Sequence, residues 1–456
     1  MSGRLTDASA LPGMTWQGMV LDNARPGIPG SALSGVTAAP ESSFVIRKVD
    51  VRHVPGAHGS MAGSKGKNWN PGIMAGITTT GKFLRRPAVF GVLAGIVLFV
   101  ILVGIRETGI LQPLELEAYD LLLRLQEHGA AVESRVALLA ITEADIQSLG
   151  RWPLPDEVLA GMISALQGYQ PDAIGIDIYR DLAVPPGTEQ LDAILAANSN
   201  VFVVEKIGTG GGTGVPPPKV LAGTGQVGFA DLLVDPDGVV RRGLLFLDDG
   251  VDVFYSLSLR LALHYLQARD IHPRAGEPEP SHLRLGDVTL RPFEANDGGY
   301  VGADAGGYQF MMDYRGGTQP FASYSLGELL SGDIPDGALA GKIVIIGVAA
   351  DSVKDDFITP YRHGGHGLPG VPGSTIHAHA ASQLLRAALD DDYPTGVLDD
   401  VKEYAWILFW TVAGVVLVLR IKSAGRFVPL ALFGTALLLL LSYLAYSKGI
   451  WLPLMP

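Results

Sequence analysis

Acidic side chains recur at the ends of four short apolar runs, and that recurrence is the chain's main hint of chemistry. Glu143 and Asp145 follow a run at 136–141, and Asp177 and Asp181 lie at the end of one at 173–178. Glu205 closes 201–205, and Asp351, Asp355 and Asp356 follow 342–347. In open α/β sheets, ligands sit beyond the carboxyl ends of parallel strands. If the runs are such strands, Glu143, Asp145, Asp177, Asp351, Asp355 and Asp356 share one edge and offer oxygen ligands to a hard cation or a small cationic molecule. The plainer reading is that Asp177 caps a turn or pairs with an arginine and that the others are solvated.

Other candidate constellations are weaker. His363, His366, His377 and His379 follow a His-x2-His, His-x-His pattern that could supply nitrogen to zinc. The first pair sits in a Gly/Pro-rich loop, however, and the second begins a helix, where residues two apart face different sides. No metal site is expected. Gly76-Ile-Thr-Thr-Thr-Gly81-Lys82 has the spacing of a phosphate-binding loop, but Phe83 stands where a hydroxyl must hold magnesium, and no strand precedes it. The glycines of 208–214 run into Pro216, Pro217 and Pro218, which marks a flexible surface insertion. No nucleophile–base arrangement is visible, so neither an enzyme nor a cofactor is expected.

The elements that would position these residues form an α/β pattern. The four Val/Ile-rich runs read as buried strands, with helices at 155–166 and 189–197 between them. This predicts a largely parallel, mixed sheet with flanking helices. Short segments at 241–247, 282–285, 288–291 and 309–314 read as antiparallel additions, and 254–268 and 376–389 as helices. Leu114, Leu116, Tyr119, Leu122, Leu123 and Leu125 recur at helical spacing just after an apolar run.

Three uncharged apolar stretches, 87–105, 404–419 and 427–447, predict transmembrane helices, since about 20 apolar residues cross a bilayer core. Residues 1–86 hold ten Lys or Arg against four Asp or Glu, and the 420–426 loop carries Arg420, Lys422 and Arg426 with no acid. The whole chain nevertheless has a net charge of −12, so the acidic excess lies in 106–403. Basic residues are retained on the cytoplasmic side. The expected topology is therefore a cytoplasmic arm (1–86) and loop (420–426), with the 106–403 domain and the 448–456 tail outside. The Gly-, Pro- and Ser-rich arm reads as mostly irregular, with a short apolar cluster at 44–54 that could order on a partner. The chain has no Cys, which excludes disulfides and thiolate metal sites. An acidic domain argues against nucleic acid. Membrane lipids, other membrane proteins and a small ligand or cation are the partners expected.

Several motifs occur in one family's order. They are Ile141-Thr-Glu-Ala-Asp-Ile146 with the Arg151-Trp152-Pro153 corner, Ala173-Ile-Gly-Ile-Asp-Ile178, and Asp235-Pro-Asp237-Gly238-Val-Val-Arg241-Arg242. Tyr255-Ser-Leu-Ser-Leu259, Asp313-Tyr314-Arg315-Gly316, Gly341-Lys-Ile-Val-Ile-Ile-Gly347, Thr359-Pro360 and His377 follow. Over roughly 110–390 the chain resembles the CHASE type-two domain, the extracellular sensory domain found beside bacterial cyclases and histidine kinases. Within the motifs, Gly238 would allow positive φ in a turn, and Arg241 and Arg242 could pair with its acids. The resemblance implies a multi-pass bacterial inner-membrane protein with a periplasmic sensory domain. Members usually carry three spans after the domain and then a cytoplasmic output module, whereas this chain stops near Trp451. The expectation is an anchored sensor acting through a partner, or alternatively an accessory or structural subunit of a membrane complex.

Overall fold

Alternate side chains of a strand point to opposite faces, so a Val/Ile run buried on both sides must lie between two layers of helices. A computed structural model shows that arrangement and describes residues 87–126, 133–208, 213–316, 320–361 and 370–454, with side chains from residue 91. The arm and its 44–54 cluster, the 76–82 motif, His363, His366 and much of the 208–214 stretch lie outside the described residues.

Helix α1 (Pro87–Glu107) breaks into α2 (Gln112–Leu125). Strand β1 (Glu133–Ile141) leads through α3 (Glu143–Leu149) and α4 (Asp156–Gly168) to β2 (Ala173–Ile176), and α5 (Thr188–Ala197) leads to β3 (Val201–Glu205) and β4 (Val227–Phe229). An antiparallel region follows: β5 (Arg242–Asp248), β6 (Val253–Tyr255), α6 (Leu257–Gln267), β7 (Arg274–Ala275), β8 (Leu283–Leu285), β9 (Val288–Leu290) and β10 (Tyr308–Met311). Then come β11 (Phe321–Ser325), α7 (Leu326–Ser331), β12 (Ile343–Val348), and the pair β13 (Asp356–Phe357) and β14 (Val371–Pro372). The chain continues with α8 (Gly373–Leu389), β15 (Gly396–Val397), α9 (Asp400–Arg420), α10 (Ala424–Tyr446) and β16 (Ile450–Trp451).

The main sheet has the order β11-β1-β12-β2-β3-β4, parallel at every pairing. Leu139, Ile174, Val203 and Ile346 face a core closed by Leu159, Ile163, Leu191 and Leu329 of α4, α5 and α7. Val136, Ala173, Phe202 and Ile345 face a second core with Leu257 and Leu261 of α6 and Ile376 and Leu384 of α8. Helix α8 lies close enough to β12 that a Cβ on Gly347 would stand 2.2 Å from the Ser374 side chain. Sheets β10-β5-β6 and β7-β8-β9 are the expected antiparallel additions. Strands β4 and β11 were not foreseen, because Val227–Phe229 is only three residues long and β11 reads Phe-Ala-Ser-Tyr-Ser.

The amphipathic helix after the first apolar run also forms. Leu116, Tyr119, Leu122 and Leu123 of α2 are buried in the second core. Beneath it, the domain-side ends of three apolar helices meet. Arg106 at the end of α1 pairs with Glu403 near the start of α9 and donates to Gly298 O at 2.7 Å. Strands β15 and β16, before α9 and after α10, pair with each other, so those helices run out and back. A Cβ on Gly95 of α1 would lie 3.8 Å from Val415, which places that turn of α1 beside α9. Helices α9 and α10 are each long and apolar enough to cross a membrane, so two spans, not three, stand alone by that measure. The Gly91–Glu107 stretch of α1 qualifies when joined to α2 across an 83° bend.

Candidate sensory edge and the membrane-proximal network

At the carboxyl end of β2, the backbone of Asp177 donates to Ile346 O at 2.9 Å, which holds the residue beside β12. Its carboxylate and that of Asp355 both reach the start of α8. A Cβ on Gly373 would lie 3.5 Å from Asp177 Oδ2 and 3.2 Å from Asp355 Oδ2. Burial pushes the Asp177 carboxyl up to about 7. Burial and then the Asp177 charge raise Asp355 to about 6. Nearby, His377 is sunk in α8 with Nδ1 3.0 Å from Ser258 Oγ, and burial lowers its ring to about 4, so it is neutral at ordinary pH. Both carboxylates are thus poised to change charge near neutrality.

The remaining expected edge acids do not join this pair. Asp145 lies in the first turn of α3, where a carboxylate satisfies free helix amides. Its Oδ2 accepts from Thr142 N at 2.8 Å and Thr142 Oγ1 at 2.6 Å, and its Oδ1 accepts from Gly327 N at 2.9 Å. Both oxygens are committed to structure. Glu143 is on the same first turn and accepts from Ser352 N at 3.2 Å, which ties together the loops after β1 and β12. Asp351 is exposed on a turn, and Asp356 is exposed on β13. The expected line of six is therefore a facing pair, Asp177 and Asp355. No group of three acids or histidines could hold a metal ion among the described residues. His379 faces away from His377, edge-on to Tyr314 and Phe321, as residues two apart on one helix must.

Several of the family-pattern motifs gather around α2. Asp235–Gly238 forms a turn with Gly238 at φ +86°, closed by Gly238 N donating to Asp235 O at 2.8 Å. Arg241, fully buried, reaches three acids. Nε and Nη2 donate to the two oxygens of Asp120 at 2.8 Å each, Nη1 to Asp235 Oδ2 at 3.0 Å, and Nη2 to Asp237 Oδ2 at 2.7 Å. Burial pulls the guanidinium pKa down, but the hydrogen bonds to Asp120 and Asp237 more than offset it. Arg242 donates to Asp235 Oδ1 at 2.8 Å, lies 4.8 Å above the Phe293 ring, and Tyr300 donates to Asp235 Oδ2 at 2.7 Å. The other motifs grip the same helix or its neighbours. Tyr314 donates to Val240 O at 2.7 Å, Tyr119 to Met312 O at 3.3 Å, and Arg124 to Pro360 O at 2.9 Å beside buried Thr359. Arg315 bonds Asp392 at 2.6 Å, while Gly316 turns at φ +85°. In the separate corner, Arg151 donates to Pro185 O at 3.2 Å, next to Trp152 and Pro153.

Asp120 was missed from sequence, although its signal is visible: it stands four residues after Leu116, on the buried stripe of α2. Glu115 was also missed. It accepts from Trp451 Nε1 at 3.2 Å and from Leu454 N at 2.9 Å, fastening the segment after α10 to α2. Trp451 itself is fully buried, 4.5 Å from the Tyr119 ring.

The fold is a three-layer α/β/α domain that carries a pair of acids with raised pKa values after β2 and β12 and a sealed ionic network around α2. Residues 96–416 match the family model of the CHASE2 domain, and the chain belongs to that family of sensory domains. No curated protein and no solved structure gave a significant match.

Proposed function

We propose that this chain is a membrane-anchored extracytoplasmic sensor of a bacterial inner membrane that signals through a partner protein rather than by catalysis of its own. The observation that carries the reading is Arg241. One buried guanidinium joins Asp120 on the helix following α1 to the Asp235 turn of the domain, so α2 moves with the domain core. Family membership supports a sensory role, and the Asp177–Asp355 edge supplies a place where a charged ligand or a proton could act. In this reading α1, α9 and α10 all cross the bilayer. The basic residues before α1 and those of the 420–426 loop, by the retention of Lys and Arg, are assigned to the cytoplasm. The domain and the segment after α10 then face the periplasm, with lipid around the exposed apolar faces.

Because the chain has no cysteine, single cysteines report its topology cleanly. Val251→Cys, on a domain turn, is expected to react with an impermeant maleimide in cells with a permeabilised outer membrane, and Ser423→Cys only after the inner membrane is opened. The reverse pattern sinks the topology. Mild cross-linking and purification of the full chain from native membranes are expected to retain a signalling protein. Recovery of the chain alone contradicts the partner reading, while a purely structural membrane complex favours an accessory subunit.

A further inference from the structure

Helix α2 presents two apolar stripes, and the domain uses only one of them. Leu116, Tyr119, Leu122 and Leu123 are buried in the second core. Leu114, Leu121 and Leu125 form another stripe, 54, 50 and 53 % exposed, and Ile110 in the turn before the helix is 71 % exposed. Ala118 lies on the same stripe between Leu114 and Leu121. A contiguous exposed apolar stripe on a fixed helix marks a surface that meets something apolar.

With 3.6 residues per turn, the faces of α2 follow a set order around its axis. Leu116, Asp120 and Leu123 form the face towards the domain, where Asp120 binds Arg241. Glu115, Tyr119 and Leu122 come next. On this face Glu115 accepts from Trp451, and Tyr119 lies 5.7 Å from Tyr446, the last residue of α10. The outer stripe of Leu114, Ala118, Leu121 and Leu125 follows, and Glu117 and Arg124 close the circle back to Asp120. The stripe therefore borders the face that touches the end of α10, and two charged residues separate it from the domain.

The path of the chain points the same way. Helix α1 has 21 residues, about 31 Å at 1.5 Å per residue, and is used up in crossing a bilayer core of about 30 Å. Arg106 and Glu107 mark its exit. There Arg106 pairs with Glu403, and Glu107 accepts from Tyr404 Oη at 3.1 Å near the start of α9. The chain then turns through 108–111, with Gly109 at φ +71°, and α2 runs at 83° to the Gly91–Glu107 stretch. Spanning helices tilt by about 20° on average, so α2 leaves that exit close to the membrane plane.

We propose that α2 is an interfacial helix whose outer stripe is seated in the lipid surface of the leaflet where α1 emerges. A helix of this kind sinks its apolar face about 5–10 Å into the boundary between headgroups and chains. The flank holds one acid and one base, so apolar area rather than attraction to anionic lipid keeps it there. The inference rests on the membrane-anchored reading and deepens it. Arg241 ties α2 to the domain, so the domain is fixed to the membrane surface along α2 as well as to the spans.

The test uses the full chain in phosphatidylcholine nanodiscs, with one nitroxide at a time on Leu114→Cys, Leu121→Cys, Leu125→Cys, Glu117→Cys or Val100→Cys. The parent has no cysteine, and all five side chains are exposed, so folding is expected to survive. Unfolding temperatures check this, and the three stripe positions back one another up. Collision rates with oxygen, which concentrates in lipid, are compared with those with a water-soluble nickel chelate. The oxygen-to-nickel ratio is expected to be high at Leu114, Leu121 and Leu125, higher still at Val100 in α1, and low at Glu117. A low ratio at all three stripe positions with a high one at Val100 overturns the proposal and leaves the anchored reading standing, the stripe then being open to water or to a partner protein. Dipolar broadening between labels on Leu121 also overturns it, because a second copy then covers the stripe. A low ratio at Val100 contradicts the anchored reading itself, and the inference with it.

Discussion

Two charged regions of this domain are built on opposite terms. Around α2, Arg241 is fully enclosed and its guanidinium hydrogen bonds go to acids: Asp120, Asp235 and Asp237. At the edge, Asp177 and Asp355 lie against the same glycine with no arginine or lysine among the causes of their shifts, and burial raises both. A paired, dry network holds one geometry and resists change. A facing pair of acids with raised pKa values changes charge with small shifts in its surroundings. The contrast assigns stiffness to the network around α2 and responsiveness to the Asp177–Asp355 pair.

The comparison breaks most sharply at Arg241. Arg241→Ala leaves Asp120 and Asp235 buried without their cation and should cost about 3–5 kcal/mol, read by urea or thermal unfolding. The double change Arg241→Met with Asp120→Leu removes both charges and should recover part of that loss, since breaking one side of a buried pair is worse than removing it. If the double variant is as unstable as the single, the paired character of this network is wrong. Gly347→Ala, which would press α8 away from β12 through Ser374, should cost about 1–3 kcal/mol. Asp145→Ala removes a helix cap and should cost about 1 kcal/mol without changing the titration of the edge. Glu143→Ala, on an exposed first turn, should stay within about 0.5 kcal/mol of the parent.

The sheet was legible because runs such as 342–347 are long and apolar enough to be buried on both faces. Strand β11 was not, since its Ser-rich pattern takes its place only by pairing with β1. The acids after strands were visible, but their roles were not. In a βα unit the residue after the strand is also the first turn of a helix, and Asp145 answers to the helix. Likewise the Asp235–Arg242 motif announced a turn with paired arginines, yet the partner on α2 lies 121 residues away from Arg241 and follows only from the fold.

The central claim is that the edge carries uncompensated, titratable charge, and the stability of the parent and Asp177→Asn between pH 4 and 8 tests it most directly. The folded Asp177 keeps its proton up to about 7, whereas an unfolded carboxyl loses it near 3.8. The stability tied to that proton is therefore present below about pH 4 and lost as pH rises towards 7. Asp355, raised to about 6, adds a smaller loss of the same sign, and neutral His377 acts in the opposite direction as pH falls below 6.5. The difference between the two proteins reports Asp177 together with the part of the Asp355 shift that the Asp177 charge causes. Asp177→Asn is expected to gain on the parent steadily from pH 4 to 7, by on the order of 1–3 kcal/mol, and then to run level. Parallel curves across the whole range would contradict the account.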